Sequence, residues 1–230
     1  PKGLMRSPPW TFGFKGYADS GTSGEPFLMI NNQPLSRSQL RAQLRKRRSA
    51  LSRQQQTQAG LQLCRQLAQH PIFRRARYIA LYRASDGEVD PRFLMHEAWR
   101  RGKQVYLPVL PSWPKTAMLF QRVRANQQWE KNRFGILQPR WCVADQRAVW
   151  ALDAVFLPLV GFDAQGGRLG MGGGFYDRCF ASLHQRDQLL TPQRIGLAHE
   201  CQRVEQLPLA AWDVPLHAVV TDQQWYMAST

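Results

Sequence analysis

RLGMGGGFYDR, residues 168–178, is the stretch of this chain that decides its expected fold. Its four glycines, Gly170 and Gly172 to Gly174, leave the backbone uncovered, so that its N–H groups can converge on an anion. An apolar run at 154–160 precedes the loop, and residues 176–183 follow it with helical spacing of apolar side chains. A strand, a glycine-rich loop and a helix in this order predict an α/β fold in which the loop meets a phosphate.

The charged groups around this loop favour a nucleotide triphosphate. Arg168 and Arg178 stand at its two ends, and Asp177 falls at the start of the predicted helix. Cations together with a carboxylate suit a triphosphate that carries magnesium. The segment matches neither GxxxxGK[ST] nor GxGxxG. The alternative is a tight turn whose glycines serve only to adopt positive φ angles.

Length and composition limit the class of protein. The 230 residues are 43% apolar, which is enough for a substantial core in one main domain. No apolar run reaches the roughly 18 residues of a membrane span, so no membrane partner is expected. The four cysteines lack CxxC spacing and the five histidines form no HxxxH or HExxH pattern, so neither a disulfide framework nor a zinc motif is indicated. Scattered cysteines suit a reducing compartment, and we expect a cytoplasmic protein.

The charge of the chain points to an anionic partner. The net charge is +15 and the isoelectric point is near 10.5. Nucleic acid is one partner of the required sign, and a polyanionic small molecule such as ATP is another. Charge by itself does not choose between them.

The first 34 residues differ in pattern from the rest. They contain scattered Pro, Gly, Ser and Thr and no periodic apolar face. We therefore expect residues 1–34 to be a disordered leader and residues 35–230 to form a single α/β domain. The alternative for the leader is a regulatory tail.

Two helices are expected at the start of the domain. Ser36 can cap a helix that carries Leu40 and Leu44 on one side and four arginines, Arg37, Arg41, Arg45 and Arg48, in a stripe on another. Because no acidic residue lies nearby in the sequence, this stripe should repel itself unless an anion binds it. A solvated face that needs no partner is the alternative. Ser52 with Gln55 forms a capping-box pattern for a second helix that runs to about Gln69.

Strand-like and helical runs alternate in the rest of the chain. A helix is expected at about 91–101, and strands are expected at 78–82, 104–109, 118–123, 154–160, 194–198 and 218–221. The strand at 118–123 has the alternating polarity of an edge strand. This order predicts a three-layer α/β sandwich with a central, largely parallel sheet flanked by helices.

Two further clusters lie near expected strand ends. Residues 82–90 follow a strand at the point where open α/β sheets bind ligands, and Glu88 and Asp90 could orient a polar substrate there. An ordinary acidic turn is the alternative. Trp212-Asp213 places another carboxylate before the last expected strand, although such a pair on its own is most often a turn.

Taken together, these segments resemble the 5-formyltetrahydrofolate cyclo-ligase family. Residues 168–177 resemble its RLGxGxGYYD loop, and residues 37–41 resemble its [KR]xxxR helix motif. Asp86-Gly-Glu88 resembles the segment that meets the folate, and Phe134-Gly-Ile136 with Pro139 resembles its FGIxEP-like loop. Trp212-Asp213 matches its late aspartate. The motifs occur in the family's order and span residues 36 to about 222.

The resemblance implies an enzyme of the cyclo-ligase class. The family converts 5-formyltetrahydrofolate to 5,10-methenyltetrahydrofolate in an ATP- and Mg²⁺-dependent reaction, with release of ADP and phosphate. The route is phosphorylation of the formyl oxygen followed by ring closure. The implied partners are ATP, Mg²⁺ and the folate, with or without a polyglutamate tail. A nucleic-acid partner is not expected, and the chain is expected to act as a monomer.

The resemblance also implies the site residues. The catalytic residues would be Arg41, Arg168 and Asp177. ATP would contact Arg37, Arg41, Arg168, Gly170, Met171, Gly172, Gly173, Gly174 and Tyr176. The folate would contact Arg41, Tyr82, Arg83, Glu88, Gly173, Gly174 and Phe175. Magnesium would be held, directly or through water, by Asp177 and Asp213. The chain departs from the family pattern at Arg37, Gln138 and Phe175, where Lys, Glu and Tyr are frequent.

Two other classes of function stay open at this point. An RNA-binding basic protein would explain the charge, although no stacking platform is visible. A sugar-phosphate isomerase or CoA-transferase-like enzyme on a similar scaffold would also use a glycine-rich loop. Neither of these would release ADP in response to 5-formyltetrahydrofolate.

Overall fold

The computed structural model describes residues 29–30, 33–181, 183 and 192–228. The helices are α1 (Arg37–Ser49), α2 (Arg53–Gln69), α3 (Pro71–Arg75), α4 (Arg92–Arg100) and α5 (Phe175–Ala181). The first strands are β1 (Met29–Ile30), β2 (Gln33–Pro34), β3 (Tyr78–Ala80), β4 (Gln104–Val109), β5 (Leu119–Val123), β6 (Trp129–Lys131) and β7 (Leu137–Pro139). The remaining strands are β8 (Gln146–Arg147), β9 (Ala154–Pro158), β10 (Gly161–Phe162), β11 (Arg168–Leu169), β12 (Gln193–Leu197), β13 (Ala218–Val220) and β14 (Trp225–Met227).

Eight strands form the central sheet in the order β14-β13-β12-β9-β3-β4-β5-β8. The five strands from β13 to β4 are parallel to their neighbours, and β14 and β5 join them antiparallel. The predicted largely parallel α/β sheet is therefore confirmed. The strand expected at an edge, β5, lies one position inside it because the two-residue strand β8 pairs with its outer side.

The sheet buries an apolar layer on each of its faces. Helices α2, α3 and α4 cover one face, where Leu63, Phe73 and Leu94 pack against strand residues that include Phe156. The other face buries Phe180 of α5 together with alternate residues of the same strands. Because successive strand side chains point to opposite faces, one set of strands supplies both layers. Helices on both faces give the predicted three-layer arrangement.

Local capping explains where the first two helices begin. Ser36 accepts a hydrogen bond from the Gln39 N–H, and the Gln39 side chain accepts one from the Ser36 N–H. Ser52 and Gln55 make the same reciprocal pair at the start of α2. Each pair satisfies two backbone donors that the helix itself leaves open. The predicted starts of both helices are confirmed.

The path into the glycine-rich loop differs from the expected one. Strand β9 ends at Pro158, and the antiparallel pair β10–β11 lies between it and the loop. Asp163 closes this pair, because its Oδ1 accepts hydrogen bonds from the N–H groups of Gln165 and Gly167. The loop therefore follows a short hairpin rather than the parallel strand itself.

Most of the expected leader, residues 1–28, lies outside the described residues. Within the rest of it, Met29–Ile30 pairs antiparallel with Gln33–Pro34. None of the described helices is long and apolar enough to cross a membrane.

Candidate active site

A cavity of about 500 Å³ opens beyond the carboxyl-terminal ends of β3, β4 and β9. This is the edge at which open α/β sheets bind ligands. Every residue that the resemblance implied for the site lines this one cavity: Arg37, Arg41, Tyr82, Arg83, Glu88, Arg168, Gly170, Met171, Gly172, Gly173, Gly174, Phe175, Tyr176, Asp177 and Asp213. Asp90, the other carboxylate of the 82–90 segment, is not among the lining residues and instead caps the backbone of Arg92.

The glycine-rich loop lies against Arg41 of α1. The Arg41 Nε donates to the Gly170 carbonyl at 2.8 Å. A Cβ added at Gly172 would lie 3.7 Å from the Arg41 Cζ, so the loop backbone runs directly over the guanidinium. Gly172 has φ +101° and therefore favours glycine for conformational reasons as well. The arginine and the loop together form one cationic, donor-rich surface.

An arginine–carboxylate pair joins the two ends of the loop. Arg168 is buried, and its Nη2 donates to the Asp177 Oδ1 at 2.5 Å. The Val214 N–H donates to the same oxygen at 3.3 Å. Asp177 lies in the first turn of α5, as predicted. The ion pair holds the segment before the loop and the helix after it at a set spacing.

A second pair holds α1 to the chain near its carboxyl end. Arg37 donates from both terminal nitrogens to the two oxygens of Asp213, at 2.5 and 3.0 Å. The Ala210 N–H also donates to Asp213. Burial is the largest single influence and opposes ionisation of this carboxyl, but the hydrogen bonds from Arg37 and Ala210 and the positive charges of Arg37 and Arg168 together lower the pKa of Asp213.

The arginine stripe on α1 does not repel itself, and the expectation that it needs an anion was wrong. Arg37 pairs with Asp213, and Arg45 and Arg48 both pair with Asp86. These acids are distant in sequence and come close only in the fold. Among the described residues, no carboxylate lies within ion-pair distance of Arg41. Three of the four arginines therefore already have partners inside the protein.

Another end of the cavity is mostly apolar and contains one carboxylate, Glu88. Burial raises the pKa of Glu88 to about 6, although the Ser85 N–H donates to its Oε2 at 3.0 Å. The buried Tyr82 donates its hydroxyl to the Val89 carbonyl at 2.6 Å. The half-buried Tyr176 lies close enough to Glu88 for the negative charge to raise the pKa of its phenol further, beyond the effect of burial.

Aromatic side chains border this end. Phe175 contacts Phe134 edge to face, with 6.0 Å between ring centroids. The Arg83 guanidinium lies 5.1 Å from the ring centroid of Trp129. These contacts bring the β6–β7 hairpin over the mouth of the cavity.

Sequence reasoning missed much of the apolar wall. The additional apolar lining residues include Leu107, Leu110, Met118 and Leu159. Most follow or end strands, and no local pattern marks them, because an apolar residue at a strand end looks like core. The FGIxEP-like resemblance did point to the neighbourhood of Phe134 and Pro139, which also line the cavity.

Gln138 shows how the chain accommodates one departure from the family pattern. Its side chain is buried, accepts from the Leu110 N–H at 3.0 Å and donates to the Glu130 Oε1 at 3.0 Å. A glutamate here would place a second carboxylate against Glu130, and the two would have to share a proton. The Gln138 amide can instead donate a hydrogen bond to the Glu130 carboxylate.

Whether the carboxylates of the cavity suit magnesium depends on how many of them lie together and on which of their oxygens are free to bind a metal. Among the described residues, no group of three or more His, Cys, Asp or Glu side chains is arranged to hold a metal. Magnesium commonly takes only one or two carboxylates, together with substrate phosphates and water. Asp177 fits that pattern because its two described hydrogen bonds both go to Oδ1. Asp213 fits it less directly, since Arg37 engages both of its oxygens.

Comparison with known proteins agrees with this geometry. The sequence model of the 5-formyltetrahydrofolate cyclo-ligase family matches residues 34–222. The chain is 42% identical over 178 residues to the 5-formyltetrahydrofolate cyclo-ligase of Escherichia coli (strain K12), across 77% of this chain and 96% of that protein. It is 40% identical over 184 residues to the Haemophilus influenzae protein of the same name, across 80% and 96% of the two chains. The solved structure of Aquifex aeolicus 5,10-methenyltetrahydrofolate synthetase has a TM-score of 0.70 and 28% identity, covering 83% of this chain and 92% of that one.

Proposed function

Since the chain belongs to the 5-formyltetrahydrofolate cyclo-ligase family, we propose that it converts 5-formyltetrahydrofolate to 5,10-methenyltetrahydrofolate with ATP and magnesium. Membership of this family makes the chain an enzyme, a ligase of folate metabolism. One observation carries the finer proposal: a single cavity has a cationic, glycine-lined end and an apolar end with one carboxylate. The first end suits a triphosphate and the second suits a pterin.

The triphosphate is proposed to lie at the glycine-rich loop. Arg41 contributes a guanidinium whose one described hydrogen bond goes to a carbonyl oxygen, so its terminal nitrogens can donate to phosphate. Arg168 contributes a second positive charge, held in place by Asp177. The exposed backbone of Gly172 and Gly173 allows phosphate oxygens to approach closely.

The folate is proposed to lie at the apolar end. Tyr82, Phe175 and Tyr176 provide flat surfaces for the pterin ring. Glu88 would accept hydrogen bonds from pterin N–H groups, which a carboxylate in an apolar pocket does strongly. Arg83 lies on the same side and would attract the negative charge of the glutamate portion.

The chemistry explains why these residue types suffice. Hydroxide is a poor leaving group, and ATP supplies the phosphoryl group that turns the formyl oxygen into a better one. The N10 nitrogen then attacks the formyl carbon, the C–O bond to phosphate breaks, and N10 loses its proton as the ring closes. Phosphoryl transfer depends on positioning and on charge neutralisation rather than on a protein nucleophile. Arg41 and Arg168 would meet both needs.

Magnesium, when bound, would neutralise charge on the triphosphate. We propose Asp177 as its principal protein ligand, with Asp213 acting through water. Asp177→Asn tests this assignment, because an asparagine Oδ1 can still accept from Arg168 and Val214 while the negative charge is lost. We expect the fold to be kept, the apparent magnesium affinity to weaken and turnover to fall by more than about tenfold, or ~1.4 kcal/mol. Normal turnover with unchanged magnesium dependence would rule out the metal role.

The decisive experiment measures ADP release by the purified protein. We expect ADP to form with ATP, magnesium and 5-formyltetrahydrofolate together, and not when the folate is left out. The absorbance of the methenyl product should rise in step with ADP. Release of ADP without the folate, or no release with it, would contradict the proposal and reopen the isomerase, transferase or RNA-binding alternatives.

A further inference from the structure

Arg48 is a buried cation that the proposed chemistry does not use. It lies on α1 and its side chain is 0% exposed to solvent. A guanidinium taken out of water must be paired and hydrogen-bonded, because an uncompensated buried charge is costly. Its partners therefore indicate what the residue does.

Four hydrogen bonds tie Arg48 to three segments that border the cavity, and one of them is a long bond from its Nη2 to the Met171 Sδ of the glycine-rich loop at 3.9 Å. Its Nε donates to the Asp86 carbonyl at 2.7 Å, and its Nη2 donates to the Asp86 Oδ2 at 2.7 Å. Its Nη1 donates to the Leu159 carbonyl at 3.1 Å. One side chain thus joins α1 to the turn after β3 and to the chain that follows β9, and it also contacts the glycine-rich loop through a longer bond to sulfur.

The turn at 85–88 has a backbone conformation that needs support. Asp86 has φ +50° and Gly87 has φ +75°, and a non-glycine residue in the left-handed region is uncommon. His199 contacts the Gly87 carbonyl through its Nε2 at 3.2 Å. The Glu88 N–H donates to the Ser85 carbonyl at 3.0 Å and closes the turn. The orientation of the Glu88 side chain follows from this turn.

We propose that Arg48 is a positioning residue for the folate end of the cavity: its buried guanidinium holds the 85–88 turn, and with it the Glu88 carboxylate, in place. The inference rests on the proposed function, which assigns the folate to this end. Arg41 and Arg48 lie seven positions apart on α1, and therefore on nearly the same face of the helix. One helix consequently supports both the glycine-rich loop and the turn that carries Glu88.

Arg48 also acts on the charge of Glu88. The titratable and charged groups around Glu88 are Arg48 on α1, Asp86 in its own turn, Tyr82 after β3, Tyr176 on α5 and His199 against the Gly87 carbonyl, with Arg41, Arg83 and Arg168 elsewhere along the cavity. Burial is the main cause that raises the pKa of Glu88, while the positive charge of Arg48 lowers it and the negative charge of Asp86 raises it. Removing Arg48 should therefore raise this pKa, and removing the charge of Asp86 should lower it.

Arg48→Met and Arg45→Met make a matched test. Arg45 donates to the same Asp86 Oδ2 at 2.7 Å, but its side chain is 47% exposed and it has no described bond to the backbone of the turn. Arg48→Met removes the buried positive charge and leaves no unpaired charge in the interior, because the partly exposed Asp86 still pairs with Arg45. The variant should therefore fold. Arg48→Lys is a second variant that retains the charge but cannot make all of these bonds.

The kinetics should separate positioning from general packing. In Arg48→Met we expect KM for 5-formyltetrahydrofolate to rise at least roughly tenfold, while KM for ATP changes by less than about threefold. Arg45→Met should leave both within about twofold of the wild type. The acidic limb of the kcat/KM profile for the folate should move to higher pH in Arg48→Met and to lower pH in Asp86→Asn.

The outcomes are distinguishable. Wild-type protein that releases no ADP with 5-formyltetrahydrofolate would overturn the function and the positioning role together. Active wild-type protein with Arg48→Met kinetics equal to those of Arg45→Met, and an unmoved acidic limb, would overturn the positioning role alone. If Arg48→Met fails to fold, the same comparison of KM values and pH profiles is made with Arg48→Lys against Arg45→Lys.

Discussion

Two short loops line the cavity, the glycine-rich loop at 170–174 and the turn at 85–88, and arginines of the same helix contact both. At the first loop Arg41 makes one described hydrogen bond, to a carbonyl, and pairs with no described carboxylate. At the second, Arg48 is buried and makes three hydrogen bonds to protein oxygens. An arginine with unsatisfied donors is available to an anionic ligand, whereas one whose donors are satisfied inside the protein belongs to the scaffold.

The comparison shows why the charge of a helix is a poor guide to its function. Four arginines in one stripe suggested a common anionic partner, but their surroundings differ. Burial and the position of distant carboxylates decide which of them can meet a ligand. If the two loops have the separate roles that these contacts indicate, substitutions in each loop should change different kinetic constants.

The largest effect is expected from Arg41→Ala. The phosphate end would lose a charge-assisted donor worth about 1.5–3 kcal/mol, or roughly 10- to 150-fold in kcat/KM for ATP. Arg45→Ala is the control, because Arg45 lies on the same helix, is exposed and does not line the cavity. Steady-state kinetics at varied ATP measure both variants. Equal losses in the two would mean that a diffuse basic surface, rather than one arginine, attracts the anion.

At the other loop, Glu88→Gln should stabilise the fold and impair the function. The pKa of Glu88 is raised from 4.5 to about 6, so the folded state holds a proton that the unfolded chain loses between those values. Stability is therefore lost as pH rises through this window, and the carboxylate costs about 2 kcal/mol at pH 7.5. The Gln variant should recover that amount at pH 7.5 and show no advantage below about pH 4.5.

Two measurements check this prediction. Urea unfolding of both proteins at pH 7.5 and 4.5 gives the pH-dependent difference in the free energy of unfolding. The kcat/KM of the wild type for the folate should fall as pH drops through about 6, and the Gln variant should lack this limb. A variant with wild-type stability at both pH values would show that Glu88 is more solvated than the fold indicates.

The two loops also differ in how far the sequence reveals them. The glycine-rich loop is visible because its signal is local: several glycines lie between two arginines within eleven residues. The capping boxes at Ser36 and Ser52 were predictable for the same reason. The turn at 85–88 was visible only as an acidic segment, because Arg48 lies 38 residues from Asp86 and 111 residues from Leu159. A pattern within a short stretch of sequence cannot indicate contacts between residues so far apart along the chain.

Short strands were missed for a related reason. Strands β8 and β14 have two and three residues, too few to show a period of two. Their place in the sheet comes from pairing with β5 and β13 rather than from their own composition. Longer strands with continuous apolar runs, such as β4, were predicted with their observed bounds.

The smallest and most selective effect should come from an alanine in each loop. Gly87 has φ +75° and Gly172 has φ +101°, while a Cβ would lie 3.5 Å from the Arg48 carbonyl oxygen at Gly87 and 3.7 Å from the Arg41 Cζ at Gly172. These are ordinary van der Waals distances, so the cost is backbone strain of about 1 kcal/mol at each position. Thermal unfolding should detect similar losses. The kinetics should differ, because Gly172→Ala tilts the phosphate loop and raises KM for ATP, whereas Gly87→Ala disturbs Glu88 and raises KM for the folate. If both variants raised the same KM, the two loops would not bind separate substrates, and the assignment of triphosphate and folate to different loops would be wrong.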